Sequence, residues 1–254
     1  MILIFLKLLT FLLLTLALLP FQIIIIFLIR RPVYLIPYFY HKMCKIIFGI
    51  KVKTFGNVLV ETPTLIVSNH ASYLDIIILG SLFKTSFVAK KEVSRWPLLG
   101  ILAKLQNTVF IDRKIFSLKE QENQIINHLN KKKNLVIFPE GTSSDGNKVL
   151  PFKSSLFNIY EGNLDIKIPV QTVTIIYKKI NGISLMKNQR KKITWHSDMD
   201  FIPNAINLLK KLNLEVEVIF NKEFLPNKKY DRKKIALQCW NKINYNLINS
   251  LNRK

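Results

Sequence analysis

The sequence predicts an α/β fold: a single domain with a mixed, largely parallel sheet flanked by helices, preceded by an N-terminal membrane anchor. Three features carry this prediction. A charge-free apolar run occupies the N-terminal region, and from Lys51 onward short apolar runs alternate with amphipathic stretches of helical length. No Gly/Ser- or Pro-rich linker breaks that alternation, so residues 51–254 read as one unit after a membrane-binding segment of residues 1–50. A chain of 254 residues and 29.6 kDa has room for one sizeable domain and an appendage.

The anchor is Leu8 to Ile29, "LLTFLLLTLALLPFQIIIIFLI". A bilayer core about 30 Å thick takes roughly 20 helical residues, so the run is long enough to cross. It is too long for a secretory signal and lacks a small-residue cleavage site. Pro20 and Gln22 lie inside it, and proline removes a helix hydrogen bond, so a span and a kinked segment re-entering one leaflet are both open. Arg30, Arg31, Lys42 and Lys45 follow the run while Lys7 precedes it, which places the rest of the chain on the cytoplasmic side of the inner membrane. The next stretch, "YLIPYFYHKMCKIIFGI", mixes aromatics and lysines as an interfacial helix does.

Within the domain, strands are expected at 64–67, 86–90, 107–111, 134–138, 168–177 and 214–220, each a short run rich in β-branched and aromatic residues. Helices are expected at Leu74–Phe83, Trp96–Lys104, Ser117–Leu129, Lys153–Tyr160, Ile202–Leu212 and Arg232–Leu251. The net charge of +22, from 38 basic against 16 acidic residues, favours anionic surroundings. Its lysines are scattered and no nucleic-acid motif accompanies them, so an anionic membrane surface fits better than a nucleic acid. Cys44 and Cys239 form no motif, and His41, His128 and His196 have no partners at metal-ligand spacing, so no metal and no cofactor are expected. Surface or interfacial places are the default for these three histidines.

The chemistry gathers at "VSNHASYLD", Val67 to Asp75. Residues five apart on one helix lie about 140° apart around its axis, so His70 and Asp75 can meet only if His70 sits in the turn before the helix. Ser72-x-x-Asp75 also has the form of a helix-capping box, and on this pair alone capping is the commoner role. Three further stretches change the balance: "VFIDR" ending at Arg113, "FPEGTSSDG" after a strand, and "KIPVQTV" with Pro169 at a strand start.

Taken in order, His70-x-x-x-x-Asp75, Phe110-Ile111-Asp112-Arg113, Phe138-Pro139-Glu140-Gly141-Thr142 and Ile168-Pro169-Val170 resemble the four sequence blocks of the glycerolipid acyltransferases, the bacterial 1-acyl-sn-glycerol-3-phosphate acyltransferases in particular. The resemblance covers roughly residues 50 to 220. It implies transfer of a fatty acyl group from acyl-CoA or acyl-carrier protein to the free hydroxyl of a lysolipid, at a membrane. His70 would be the general base and Asp75 its orienting partner, while Arg113, Glu140, Gly141 and Thr142 would bind the acceptor. An imidazole, ordinarily titrating near ~6.5, suits a base that removes a hydroxyl proton as it attacks a thioester.

One departure bears on the acceptor. Phosphatidic-acid-forming members usually continue Glu-Gly-Thr with arginine, and here Ser143 stands instead, with Lys148 and Lys153 as possible substitutes. The "WHSDMDF" segment, Trp195 to Phe201, is similar to an element of bacterial members that include lyso-ornithine lipid acyltransferases. The expected acceptor is therefore 1-acylglycerol-3-phosphate first and another lysolipid, such as lyso-ornithine lipid, second. Leu98 to Leu102, Phe83 and Phe116 are candidate walls of an acyl groove. The competing reading, a non-catalytic membrane-tethered basic module, predicts salt-sensitive binding without turnover.

Overall fold

The computed structural model describes residues 2–30, 33–58, 63–111, 118–161, 168–196, 199–210, 213–226 and 231–253. In chain order these form α1 (Ile2–Ile29), α2 (Leu35–Ile47), β1 (Ile50–Phe55), β2 (Leu65–Ser68), α3 (Leu74–Leu82), β3 (Ser86–Lys90), α4 (Leu99–Leu105), β4 (Val109–Ile111), α5 (Leu118–Leu129) and β5 (Leu135–Ile137). There follow β6 (Val170–Ile180), β7 (Ile183–Ser184), α6 (Lys187–Lys191), α7 (Phe201–Leu209), β8 (Leu214–Phe220) and α8 (Arg232–Asn252), with 3₁₀ turns at Lys91–Arg95 and Ser154–Tyr160.

The strands make one mixed sheet in the order β1-β8-β6-β2-β5-β3-β4, with β7 paired to β6. The pairings β6–β2–β5–β3–β4 are all parallel, while β8 runs antiparallel to β6 and parallel to β1. β2 is fully buried along its length because both faces of the sheet are covered, so it reads as an unbroken apolar run. Its side chains alternate between two cores. Ile66, with Val136 and Val218, packs under α3, whereas Leu65 and Val67 join Leu135, Ile137, α5 and α8 on the other face. In β8 every second residue is buried, Leu214, Val216, Val218 and Phe220, and Glu217 faces away to accept from the Ser250 hydroxyl at 2.6 Å.

The elements differ from expectation in instructive places. β1 was not anticipated, because "IKVKTF" interleaves lysines; it is an edge strand, where lysines are at home. The helix expected at Lys153–Tyr160 is instead the 3₁₀ turn Ser154–Tyr160. Helix α4 begins only after Leu98, which has a positive φ of 57°. Helix α1 passes through Pro20 unbroken for 28 residues, about 42 Å at 1.5 Å per residue.

Its buried residues, Lys7, Thr15 and Gln22, recur every seven or eight positions and so share one face. That face is docked on the domain. Lys7 donates to the Leu209 carbonyl, the Thr15 hydroxyl bonds the Tyr40 hydroxyl, and Gln22 donates to the carbonyls of Val33 and Leu105. The remaining faces expose large apolar side chains, among them Phe5, Leu12, Leu13, Leu16, Phe21, Ile24 and Phe27. An apolar surface of this extent is the mark of a membrane-associated segment.

Candidate active site

β2 ends at Ser68, and the chain turns through Asn69–Ser72 before α3 begins. His70 therefore stands in the turn at the carboxyl end of a parallel strand, and Asp75 in the first helical turn, as the spacing required. His70 Nδ1 and Asp75 Oδ2 are 2.8 Å apart. The same oxygen accepts from the backbone amides of Ala71 (2.7 Å) and Ser72 (2.9 Å). Capping and pairing with histidine, alternatives in the sequence, are thus two duties of one carboxylate. A carboxylate that already receives amide N–H groups is an acceptor, so Nδ1 carries the imidazole proton and Nε2 keeps a free lone pair. Asp75 is wholly buried, whereas His70 retains a side-chain exposure of 19%.

The His70 turn is pinned from several sides. The imidazole stacks on Phe138 with ring centroids 4.2 Å apart. Glu140 Oε1 accepts from the His70 amide at 2.7 Å and Oε2 from the Leu150 amide at 2.8 Å, so this carboxylate braces two segments with both oxygens engaged. Burial pushes its carboxyl up to about 8, against the pull of the two amides that favour the charged form. The Ser144 and Trp195 amides donate to the carbonyls of His70 and Ala71. Gly141, with φ of 72°, makes the sharp turn after Glu140 in a conformation that a side chain would strain.

His70 opens onto a cavity of about 1100 Å³. Gly141, Thr142, Ser143 and Lys153 line it near the turn after β5, and Leu98, Leu99 and Leu102 line it from α4. Leu8, Phe11, Leu18 and Leu19 of α1 close it farther along, so the N-terminal helix is part of the cavity wall. Tyr73, Trp96, Trp195 and Phe201 also line it and pack edge to face, with Tyr73 and Phe201 ring centroids 5.0 Å apart.

The sequence-predicted residues divide accordingly. His70, Asp75, Glu140, Gly141 and Thr142 come together; Arg113 and Phe116 lie outside the described residues. Lys153 reaches the cavity lining, whereas Lys148 is exposed and does not. Phe83 is not a groove wall but part of the core under the sheet. Two of the remaining histidines are corrected as well. His41 and His128 are buried, not at the surface, and burial pushes both down to about 4. Sequence reasoning missed Tyr177, whose hydroxyl donates to Asp75 Oδ1 at 2.6 Å. At the end of the expected apolar strand 168–177, and 102 positions from Asp75, it carries no signal of this contact in the sequence.

Comparison with known proteins bears on this arrangement directly. The sequence profile of the acyltransferase family matches residues 49–176. The lyso-ornithine lipid O-acyltransferase of Brucella abortus is 35% identical over 91% of this chain and 88% of its own length. Its counterpart in Rhizobium meliloti is 32% identical over 87% and 78% respectively. The 1-acyl-sn-glycerol-3-phosphate acyltransferase of Neisseria gonorrhoeae is 35% identical over 46% of each chain. In fold, the chain matches the crystal structure of the 1-acyl-sn-glycerophosphate acyltransferase PlsC from Thermotoga maritima, with a TM-score of 0.66 at 20% identity, over 98% of this chain and 99% of that one. Agreement over nearly the whole length, in sequence and in fold, establishes that the chain belongs to the acyltransferase family.

Proposed function

We propose that this enzyme transfers a fatty acyl group from an acyl-CoA or acyl-carrier-protein thioester to the hydroxyl of a lysolipid, with His70 as general base. The observation that carries the reading is the pairing of His70 Nδ1 with buried Asp75 beside the cavity. Nε2 takes the acceptor hydroxyl's proton as its oxygen attacks the thioester carbon. The imidazolium formed is stabilised by Asp75, and its proton then goes to the departing thiolate. The apolar cavity, just above the roughly 300–1,000 Å³ of ordinary ligand sites, receives the acyl chain.

For the acceptor, the order of the two candidates reverses. The relatives matched over most of their length are lyso-ornithine lipid acyltransferases, and Ser143 is a buried hydroxyl where a phosphate-binding arginine was sought. A phosphate-free lysolipid of the lyso-ornithine type is our first choice and 1-acylglycerol-3-phosphate the second. Gly141, Thr142 and Arg113 complete the acceptor side, while Glu140 holds the turn that carries His70.

Residues 1–50 serve two ends in this reading, against an acyltransferase domain of residues 51–254. Because α1 is held to the domain from Lys7 to Gln22, its exposed apolar faces enter one leaflet with the domain alongside, and the cavity opens at the level of the lipid. The basic surface then faces the anionic cytoplasmic leaflet of the inner membrane.

The test uses detergent-purified protein, labelled acyl-CoA and acyl-carrier-protein donors, and a panel of lysolipids, with His70→Ala alongside. Turnover on lyso-ornithine lipid that vanishes in the variant supports the whole reading. Turnover on lysophosphatidate alone keeps the mechanism and reassigns the acceptor. Full activity in His70→Ala sinks the mechanism.

A further inference from the structure

We propose that Tyr177 is a positioning residue of this acyl-transfer site, its hydroxyl setting the orientation and basicity of His70 through Asp75. The inference rests on the reading of His70 as base.

The Asp75 carboxylate is buried, and among the described residues its donors are the amides of Ala71 and Ser72 and the imidazole on Oδ2, and the Tyr177 phenol on Oδ1. Three of these come from the turn that leads into the helix bearing Asp75. Among the described residues, only Tyr177 comes from the sheet, and it alone engages Oδ1. Without it, the carboxylate would be anchored through a single oxygen and free to pivot about it. The phenol thus fixes the plane in which Oδ2 faces His70.

Tyr177 is itself rigidly held. It is 1% exposed, inside β6, and its backbone carbonyl accepts from Nε of Arg190, a guanidinium that also donates to the Leu185 carbonyl and the Asn147 side chain. Burial and the nearby Asp75 charge keep the phenol well above its ordinary range, so it remains a donor throughout the working pH of an imidazole base.

The second consequence is electronic. A hydrogen bond to a carboxylate withdraws charge from it, so the phenol tempers the hold of Asp75 on the imidazolium formed during transfer. Other titratable groups facing the pair, among the described residues, are Glu140 from the turn after β5 and Tyr73 from the start of α3; Lys153 lines the same cavity. Tyr177→Phe leaves all three in place.

The experiment is a pH profile of kcat/KM for the full chain in detergent, on whichever lysolipid it turns over. Tyr177→Phe is expected to lower the plateau about 3- to 30-fold and to move the acid limb up by about 0.5–1 pH unit. Replacement of Tyr177 by 3-fluorotyrosine, a stronger donor of nearly the same shape, should move the acid limb down. A merely structural phenol would lower the melting temperature and leave the limb unmoved in both proteins, which would overturn the proposal. If Tyr177→Phe does not fold, the direction of the fluorotyrosine shift decides alone. His70→Ala separates the two readings: a dead variant beside unmoved limbs overturns the role of Tyr177 only, whereas a fully active one overturns the base and this proposal with it.

Discussion

Two histidines line the same cavity and could hardly be placed more differently. His70 sits at a strand end with Nδ1 against a carboxylate. His41, on α2, has Nε2 against the amide oxygen of Gln106 at 3.0 Å, and its Nδ1 is buried without a partner among the described residues. Burial pushes His41 down to about 4, so it stays neutral through the physiological range. An imidazole becomes a base here through its partner: both rings are largely out of water, and only one has a group that can stabilise the charge it gains. Gly80 makes the same point sterically, since a Cβ there would come within 2.4 Å of the His41 ring, which is packed as a wall.

The comparison can be broken most forcefully at His70 itself. His70→Ala should cost roughly 10³–10⁴ in kcat/KM, the reach of a positioned general base with its charge-stabilising partner. The stability of the variant should change little, because the ring is partly exposed and the turn is held through its backbone; a thermal melt beside the kinetics checks this. Asp75→Asn should cost less, roughly 10²–10³-fold. The amide keeps the shape of the carboxylate and can still accept from the Ala71 and Ser72 amides, but it removes the charge opposite the imidazolium. A loss as large as that of His70→Ala, with a normal melt, would mean that the tautomer and not the charge is the larger contribution.

How much of this was legible in the sequence depends on the range over which each feature is decided. The anchor, the buried parallel strands and the turn bearing His70 are local: an apolar run, a β-branched run, a fixed spacing. The cavity is not. Its far wall is α1, which Lys7 and Gln22 dock on a domain up to 202 positions away while Thr15 ties it to α2. In sequence these three polar residues look like blemishes in an anchor. Tyr177 was illegible for the same reason, since a tyrosine ending an apolar strand declares nothing about the carboxylate its hydroxyl will meet. β1 escaped because the edge of a sheet tolerates the lysines that argue against a strand elsewhere.

A third test asks whether burial without a charged partner acts on an acid as it does on His41. Glu140 is such a group, with its carboxyl up at about 8. A raised folded pKa means that the folded state holds its proton more tightly than the unfolded chain does. The stability this contributes is full below the unfolded value near 4.5 and is lost as pH rises through about 8. Glu140→Gln does not titrate, so the stability of the variant relative to the natural protein should climb across that window, by an amount on the order of a few kcal/mol. Chemical denaturation at several pH values reads it. A flat difference would mean that the amides of His70 and Leu150 hold the Glu140 carboxylate charged.

The smallest expected effect on turnover comes from giving His41 what His70 has. Gln106→Glu sets a carboxylate against Nε2 in place of the amide oxygen, at the cost of the bond Gln106 donates to the Thr85 carbonyl. Coulombic attraction at hydrogen-bond distance opposes the burial that holds His41 down, and should raise it by about 1–3 units, readable from the imidazole resonances over a pH series. Activity should change by less than about twofold, since His41 lines the wall without meeting the turn after β2. Combined with His70→Ala, the substitution should restore nothing. A carboxylate makes an imidazole a better base, but Nδ1 of His41 is sealed inside the protein, and a base must reach the proton it takes. Recovery of turnover in the double variant would show that the cavity admits the acceptor hydroxyl far deeper than the His70 turn.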